Sequence, residues 1–319
     1  MRTWVLSRNM EKHKIDKTNK LIWYRGLIDS ARPKQWIKNL IVYFALFFTV
    51  GESWQLSNTE ELARLLLRST AVFAIFCLIT SSIYVVNDIL DKDKDRHHLK
   101  KKARPIAAEQ IDIKLALGFA GILAVVGAIS SYVLSPNSFL MVVGYFLLMI
   151  LYSVCLKQIV IVDVITISLG FVIRAVTGAI VIDGSVSRWL YVCTGLAALF
   201  LGFSKRLNEK KSVGSDGYLQ RETLQEYSVD FLQQLIAISA TSSLLAYTLY
   251  TFTSPNLPSN NAMMLTIPFV VYGLLRYLFL VNDSNQGESP EEFILKDLPF
   301  KMSVVAWLLV GFTILIYYR

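Results

Sequence analysis

An amide and three carboxylates, Asn87, Asp88, Asp91 and Asp95, stand where an apolar run meets a basic loop. Continuing a helix through them at about 100° per residue stacks Asn87, Asp91 and Asp95 at i, i+4 and i+8. Asp88 then falls on the flank of that face and Asp93 on the opposite side. Like charges on one stripe repel each other unless a cation sits among them. Oxygen donors of this kind suit a hard divalent ion, Mg²⁺ above all, which commonly shares its shell with substrate phosphates. The competing reading is a solvated acidic helix end balanced by Lys92 and Lys94, and the one-sided stripe abutting an apolar span weighs against it. His97 and His98 follow the stripe and read as loop residues.

The second set of candidates is basic. Lys34, Lys38, Lys157, Lys205 and Arg206 lie at the ends of apolar runs that share the side of the acidic stripe, as does Arg104 in the loop after it. Each end residue reads either as a phosphate ligand or as an anchor whose head snorkels to lipid headgroups. Arg174 differs, because it lies within an apolar run. A charge there is costly and marks function by default, with Asp163 or a substrate phosphate as the expected partner. Arg276 is also within a run, and an ion pair between helices is as good a reading for it. Tyr84, one turn before Asp88, and Tyr152, just before Lys157, are placed to line the same space. Cys77, Cys155 and Cys193 all fall in apolar runs without Cys-x-x-Cys or Cys/His spacing, which argues against a zinc site or a disulfide framework.

The elements that must position these residues are membrane spans. The chain is 54% hydrophobic with mean hydropathy +0.47, and its apolar runs are long enough to cross a bilayer. Nine are expected, at about 35–51, 69–87, 113–134, 137–155, 161–182, 189–204, 231–252, 262–281 and 300–318. Residues 1–30 form a basic interfacial segment, with Trp4, Trp23, Tyr24 and Trp36 suited to the headgroup layer. It lacks the apolar core of a cleavable signal peptide. Residues 31–319 form one integral membrane domain.

Charge sets the orientation. With the N-terminus inside, 26 of the 32 Lys and Arg fall on cytoplasmic stretches and four on outside ones, leaving Arg174 and Arg276 within spans. That bias puts the acidic stripe on the cytoplasmic face. The net charge of +8 is then a topology and anionic-lipid signature. Nucleic acid is not an expected partner, since no recognition module accompanies the basic residues.

The motifs resemble those of a known family. Asn87-Asp88-x-x-Asp91-x-x-x-Asp95, followed by a basic loop ending in Arg104-Pro105-Ile106, is similar to the first aspartate-rich motif of the UbiA prenyltransferase superfamily. The likeness runs from Arg32 to about Pro299. It implies an all-α membrane fold of nine helices around a central cavity, with Mg²⁺ and a diphosphate bound at the first motif. The segment 32–39, Tyr152-Ser153-x-x-Leu156-Lys157 with Asp163 and Arg174, and Lys205-Arg206-x-x-Glu209 with Arg221, Leu224 and Tyr227 resemble the decaprenyl-phosphate phosphoribosyltransferase branch, as do Pro290-Glu291-Glu292 and Asp297. Two departures stand out. The quinone-making members carry a second Asp-x-x-x-Asp where this chain has Ser204-Lys205-Arg206 and no aspartate before Asp216. Glu109 stands where the branch usually has glycine.

The resemblance implies a bacterial inner-membrane enzyme that transfers 5-phosphoribose from phosphoribosyl pyrophosphate to a polyprenyl phosphate. Asn87, Asp91 and Asp95 would hold Mg²⁺, with Asp88 a ligand or an anchor behind it. Lys34, Lys38, Arg104, Lys157, Arg174, Lys205 and Arg206 would bind phosphate, and Tyr84, Tyr152, Asp163, Glu209, Arg221 and Tyr227 would lie nearby. Membrane lipids are expected around it, and the branch allows a homo-oligomer for which the residues show no contact face. The segment 206–228 is long enough to be a lid or a plain connector. Two four-helix halves with a ninth helix outside would place Lys205-Arg206 as the counterpart of the acidic motif. The rivals are an aromatic polyprenyltransferase, which should carry the second aspartate pair, a cation transporter, which should carry mid-membrane acids, and a non-catalytic scaffold, which has no need of the stripe.

Overall fold

The computed structural model describes residues 23–52, 54–98, 101–184, 187–212, 223–283 and 296–318. Arg221, Asp216, Pro290-Glu291-Glu292 and Trp4 lie outside the described residues. The described chain is helical, and its extended pairing is a single isolated bridge between Val50 and Trp54.

Among the described residues, eight helices are long and apolar enough to cross a membrane. They are α1 (Thr59–Leu90), α2 (Ile113–Leu134), α3 (Pro136–Val154), α4 (Val162–Val181), α5 (Arg188–Ser212), α6 (Val229–Thr253), α7 (Ile267–Asp283), which spans together with the 3₁₀ turn Ala262–Thr266 ahead of it, and α8 (Leu298–Tyr318). Polar side chains start several of them. Asn58, Asp112, Ser135 and Ser228 each accept a hydrogen bond from a backbone N–H of the first turn, which no residue within the helix can satisfy.

The expected first span, 35–51, is not a continuous α-helix. Pro33–Tyr43 forms a 3₁₀ helix that runs into a short α-helix at Phe44–Phe48. The tighter winding advances about 2.0 Å per residue against 1.5 Å, so the two pieces together reach about 30 Å. Hydropathy detects the apolar length but is blind to the winding. Two other spans run further than their apolar runs. α1 begins ten residues before 69, and α5 carries Lys205 through Glu209 inside the helix rather than beyond it.

α1 and α4 are the central helices, each with 61% of its most apolar stretch buried, against 17% for α2. The 3₁₀ segment lies against both. Its closest approach is at Gly178 of α4, where an added Cβ would stand 2.1 Å from the Val42 carbonyl oxygen. Val42, Val72, Phe76, Ile79, Tyr145 and Val181 make the core on one side of α4. On the other side, Val164 packs with Phe200, Phe203, Leu207, Leu232 and Tyr277.

Candidate active site

The acidic stripe forms where α1 ends. Asp91 leaves helical geometry at φ −94° and ψ 6°, and a five-residue helix, Lys92–Arg96, follows at once. The 4-residue register survives the break, because Asp91 N–H donates to the Asn87 carbonyl at 2.9 Å and Asp95 N–H to the Asp91 carbonyl at 2.8 Å. Asp88 and Asp95 are therefore buried, while the Asp93 side chain is 91% exposed. His97 is exposed and its Nδ1 lies 2.9 Å from the Asp93 carbonyl oxygen.

Three basic residues neutralise the stripe. Arg32 and Arg104 both donate to Asp88 Oδ1, the latter at 3.1 Å, and the same Nη1 of Arg104 donates to Asp95 Oδ2. Lys157 Nζ donates to Asp91 Oδ1 at 2.7 Å and to Asn87 Oδ1 at 3.4 Å. The oxygens thus converge in two pairs, Asn87 with Asp91 and Asp88 with Asp95. Among the described residues, no group of three acids, histidines or cysteines stands close enough to hold a metal on its own. The expected ligand trio is split, with Asp95 facing Asp88 across Arg104. Arg104 and Lys157, expected on phosphate, are on carboxylates here.

Arg32 was legible as part of a motif but carried no assigned role. The structure puts it in the site. It sits in the left-handed region at φ 52°, directly before Pro33, a placement that sterics disfavour twice over. Such strain persists where surrounding contacts over-determine it. Here they are the Asp88 carboxylate and the Tyr84 ring, 4.9 Å from the guanidinium.

The loop back to α2 is tied to the same place. Glu109 is at φ 58°, a conformation that favours glycine, and its carboxylate takes Lys92 at 3.2 Å and Arg96. The hydrogen bond from Lys92, reinforced by Arg96, holds its carboxyl below the usual carboxylate range.

The second half of the site is a closed network. Asp163, fully buried in the first turn of α4, accepts from Arg206 Nε at 2.6 Å and from the Tyr227 hydroxyl at 3.0 Å. Arg206 Nη1 reaches Glu209 at 2.6 Å and Nη2 reaches the Tyr152 hydroxyl at 3.4 Å. The Tyr227 oxygen also receives the N–H of Ile161 at 2.6 Å, bracing a β-branched residue at φ 68°. Burial pushes the Tyr227 hydroxyl up from its ordinary pKa, so it stays a neutral donor. Arg206 was expected on phosphate. All three of its nitrogens are engaged by the protein and its side chain is 2% exposed, so its role is to hold α3, α4 and α5 together.

Arg174 was expected beside Asp163 or a phosphate, and Asp163 is taken by Arg206. Arg174 instead donates from Nη2 to the Tyr145 hydroxyl at 2.7 Å, with its guanidinium over the Tyr145 and Phe171 rings at 5.0 and 4.7 Å. A tyrosine in an apolar run reads as packing, so nothing in sequence singled out Tyr145. Lys38 is half-buried and acts electrostatically on the same hydroxyl, while Lys34 is exposed. Lys205 is half-buried at the end of α5. Arg276 is a structural pair with Asp297, at 2.8 and 3.3 Å.

Comparison with known proteins places this geometry. A model of the UbiA prenyltransferase family matches residues 44–305. A decaprenyl-phosphate phosphoribosyltransferase of Mycolicibacterium smegmatis is 32% identical over 294 residues, covering 89% of this chain and 90% of that one. One from Mycobacterium tuberculosis is 30% identical over 283 residues, covering 89% and 92%. In fold, the chain resembles a UbiA homologue from Archaeoglobus fulgidus bound to GPP and Mg²⁺, with a TM-score of 0.68 at 16% identity over 91% of this chain and 99% of that one.

Proposed function

Because the chain belongs to the UbiA prenyltransferase family, we propose that it transfers 5-phosphoribose from phosphoribosyl pyrophosphate to a polyprenyl monophosphate, yielding polyprenyl-phosphoryl-5-phosphoribose and pyrophosphate. The observation that carries this reading is the asymmetry of the two halves. One half presents an acidic stripe ringed by Arg32, Arg104 and Lys157, and the other, among the described residues, presents a neutralised Asp163–Arg206–Glu209 network in place of a second aspartate pair. The names borne by the relatives point the same way.

The stripe fits a hard divalent cation. Asn87 Oδ1 and Asp91 Oδ1 already aim at one point, now filled by the Lys157 ammonium, and both are donors of the type Mg²⁺ takes. Asp95 completes the proposed set, which requires Arg104 to leave its carboxylate. When bound, the cation would neutralise pyrophosphate and hold it in place. Lys157 and Arg104, now on Asp91 and Asp95, would then be free to bind the leaving group. Asp88 keeps its buried position and orients Arg32 and Arg104. The bond from the ribose anomeric carbon to pyrophosphate oxygen breaks with its electron pair leaving on pyrophosphate, and a lipid phosphate oxygen forms the new bond. The nucleophile is already an anion and needs no general base, so catalysis is positioning and electrostatics. We place the site mouth and N-terminus on the cytoplasmic side, in a bacterial inner membrane.

The test is turnover by purified protein in detergent with Mg²⁺ and two substrate pairs offered separately. Phosphoribosyl pyrophosphate with a polyprenyl monophosphate should give phosphoribosylated lipid. A polyprenyl diphosphate with 4-hydroxybenzoate should give nothing, and a prenylated aromatic product would transfer the assignment to the quinone-type activity.

A further inference from the structure

The functional reading leaves Arg174 unexplained. It lies 11 residues beyond Asp163, about 16 Å further along α4, and the N-terminal lean of helical side chains carries its guanidinium part of the way back. The residue is only 6% exposed. Its Nη2 has the Tyr145 hydroxyl, but Nε and Nη1, both fully buried, have no acceptor among the described residues. Nor does a carboxylate there pair with it, in contrast to Arg206, where every nitrogen is engaged.

An uncompensated guanidinium in a membrane interior is costly, and two buried donors without an acceptor among the described residues are suited to a group that is not part of the chain. The surroundings say what kind of ligand. Lys38 and Tyr84 lie within electrostatic reach of the Tyr145 hydroxyl that Arg174 holds, so two cations and two phenols share one neighbourhood. That is a site for an anion with several acceptor oxygens, and guanidinium with ammonium is a pairing suited to phosphate. Pyrophosphate is matched to the aspartate level above.

We propose that Arg174, with Lys38 and Tyr145, forms a second anion subsite that takes a phosphomonoester dianion. This deepens the preceding functional reading and rests on it. Both proposed substrates carry that group beyond the pyrophosphate: the 5-phosphate of phosphoribosyl pyrophosphate, and the phosphate of the acceptor lipid. The subsite would hold one of them at fixed distance from the reacting carbon.

Calorimetric titration of detergent-solubilised protein with Mg²⁺ tests this with three probes: ribose 5-phosphate, a short-chain polyprenyl monophosphate and inorganic pyrophosphate. Arg174→Gln should weaken one phosphomonoester by about tenfold or more, as loss of charge-assisted hydrogen bonds implies, and leave pyrophosphate unchanged. The probe that weakens identifies the source. Unchanged binding of both phosphomonoesters overturns the proposal, and so does an equal loss of pyrophosphate. If Arg174→Gln does not fold, Arg174→Lys and Lys38→Gln read the same quantity, with a partial loss for one phosphomonoester expected and no loss overturning it. Wild-type protein that binds pyrophosphate but neither phosphomonoester would instead overturn the phosphoribosyl reading itself.

Discussion

Asp91 and Asp93 are two residues apart and have opposite surroundings. Asp91 shares Lys157 with Asn87 on the inner face, and Asp93 is 91% exposed. Asp91→Asn should therefore abolish Mg²⁺-dependent turnover in a protein that still elutes as folded, and Asp93→Asn should keep turnover within about twofold, as surface changes usually do. Equal losses in the two assays would mean that the stripe is misplaced. Glu109 makes a different prediction, because a strained backbone and two ion pairs oppose each other at one residue. Glu109→Ala keeps the strain and loses the pairs, so its melting temperature in detergent should fall. Glu109→Gly should melt above Glu109→Ala. The folded-state pKa of Glu109 is depressed, so its contribution is present above the ordinary carboxylate pKa of about 4.3 and is lost as pH falls through the lowered value. The gap between wild type and Glu109→Ala should accordingly close in melts run below about pH 4.

At the level of elements, the entering segment is what brings the site together. The 3₁₀ helix carries Arg32 to Asp88 at one end and Lys38 toward Tyr145 further down, and it lies on α4 at Gly178. Trp36 Nε1 donates to Ser81 and Asn39 Nδ2 to Thr80, so its winding is fixed against α1 by side-chain hydrogen bonds. Gly178→Ala would drive a methyl group into the Val42 backbone carbonyl, so the entering segment or α4 must shift. We expect a loss of about 1–3 kcal/mol, read as a lower denaturation midpoint, together with weaker pyrophosphate binding as Arg32 shifts. A normal midpoint would show that the segment slides freely on α4.

For the molecule as a whole, the proposed orientation turns the acidic stripe to the cytoplasm. Asp93 at the site end and Asp183 beyond the far end of α4 are both exposed, at 91% and 73%. With the proposed orientation, cysteine placed by Asp183→Cys should react with a membrane-impermeant maleimide in intact cells. Cysteine placed by Asp93→Cys should react only after lysis, with the wild-type chain as the control for Cys155 and Cys193. The opposite pattern would invert the topology. The two ends also differ in what holds them. The site end is bound by buried charge in both halves, through Asp88 and through Asp163, and removing one partner of such a pair costs about 3–5 kcal/mol. The far end is held mainly by apolar packing of Val50, Trp54, Leu65 and Ile182.

The membrane fold, its helical class and the acidic stripe were legible in the sequence because each rests on local order. Apolar length sets a span, charge bias tells its two ends apart, and 4-residue spacing sets a face. Asp93 pointing away from Asp91 follows from spacing alone, whereas the left-handed turn at Glu109 was not legible from a glutamate. The tertiary structure decided what sequence spacing does not encode, which is pairing between distant segments. Lys157 meets Asp91 across 66 positions, Arg32 meets Asp88 across 56, and Asp163 is claimed by Arg206 rather than Arg174. The same limit hid the 3₁₀ winding of the first apolar run, since hydropathy counts residues and not their rise. It also hid Tyr145, whose hydroxyl gains meaning only from the guanidinium that another helix sets beside it.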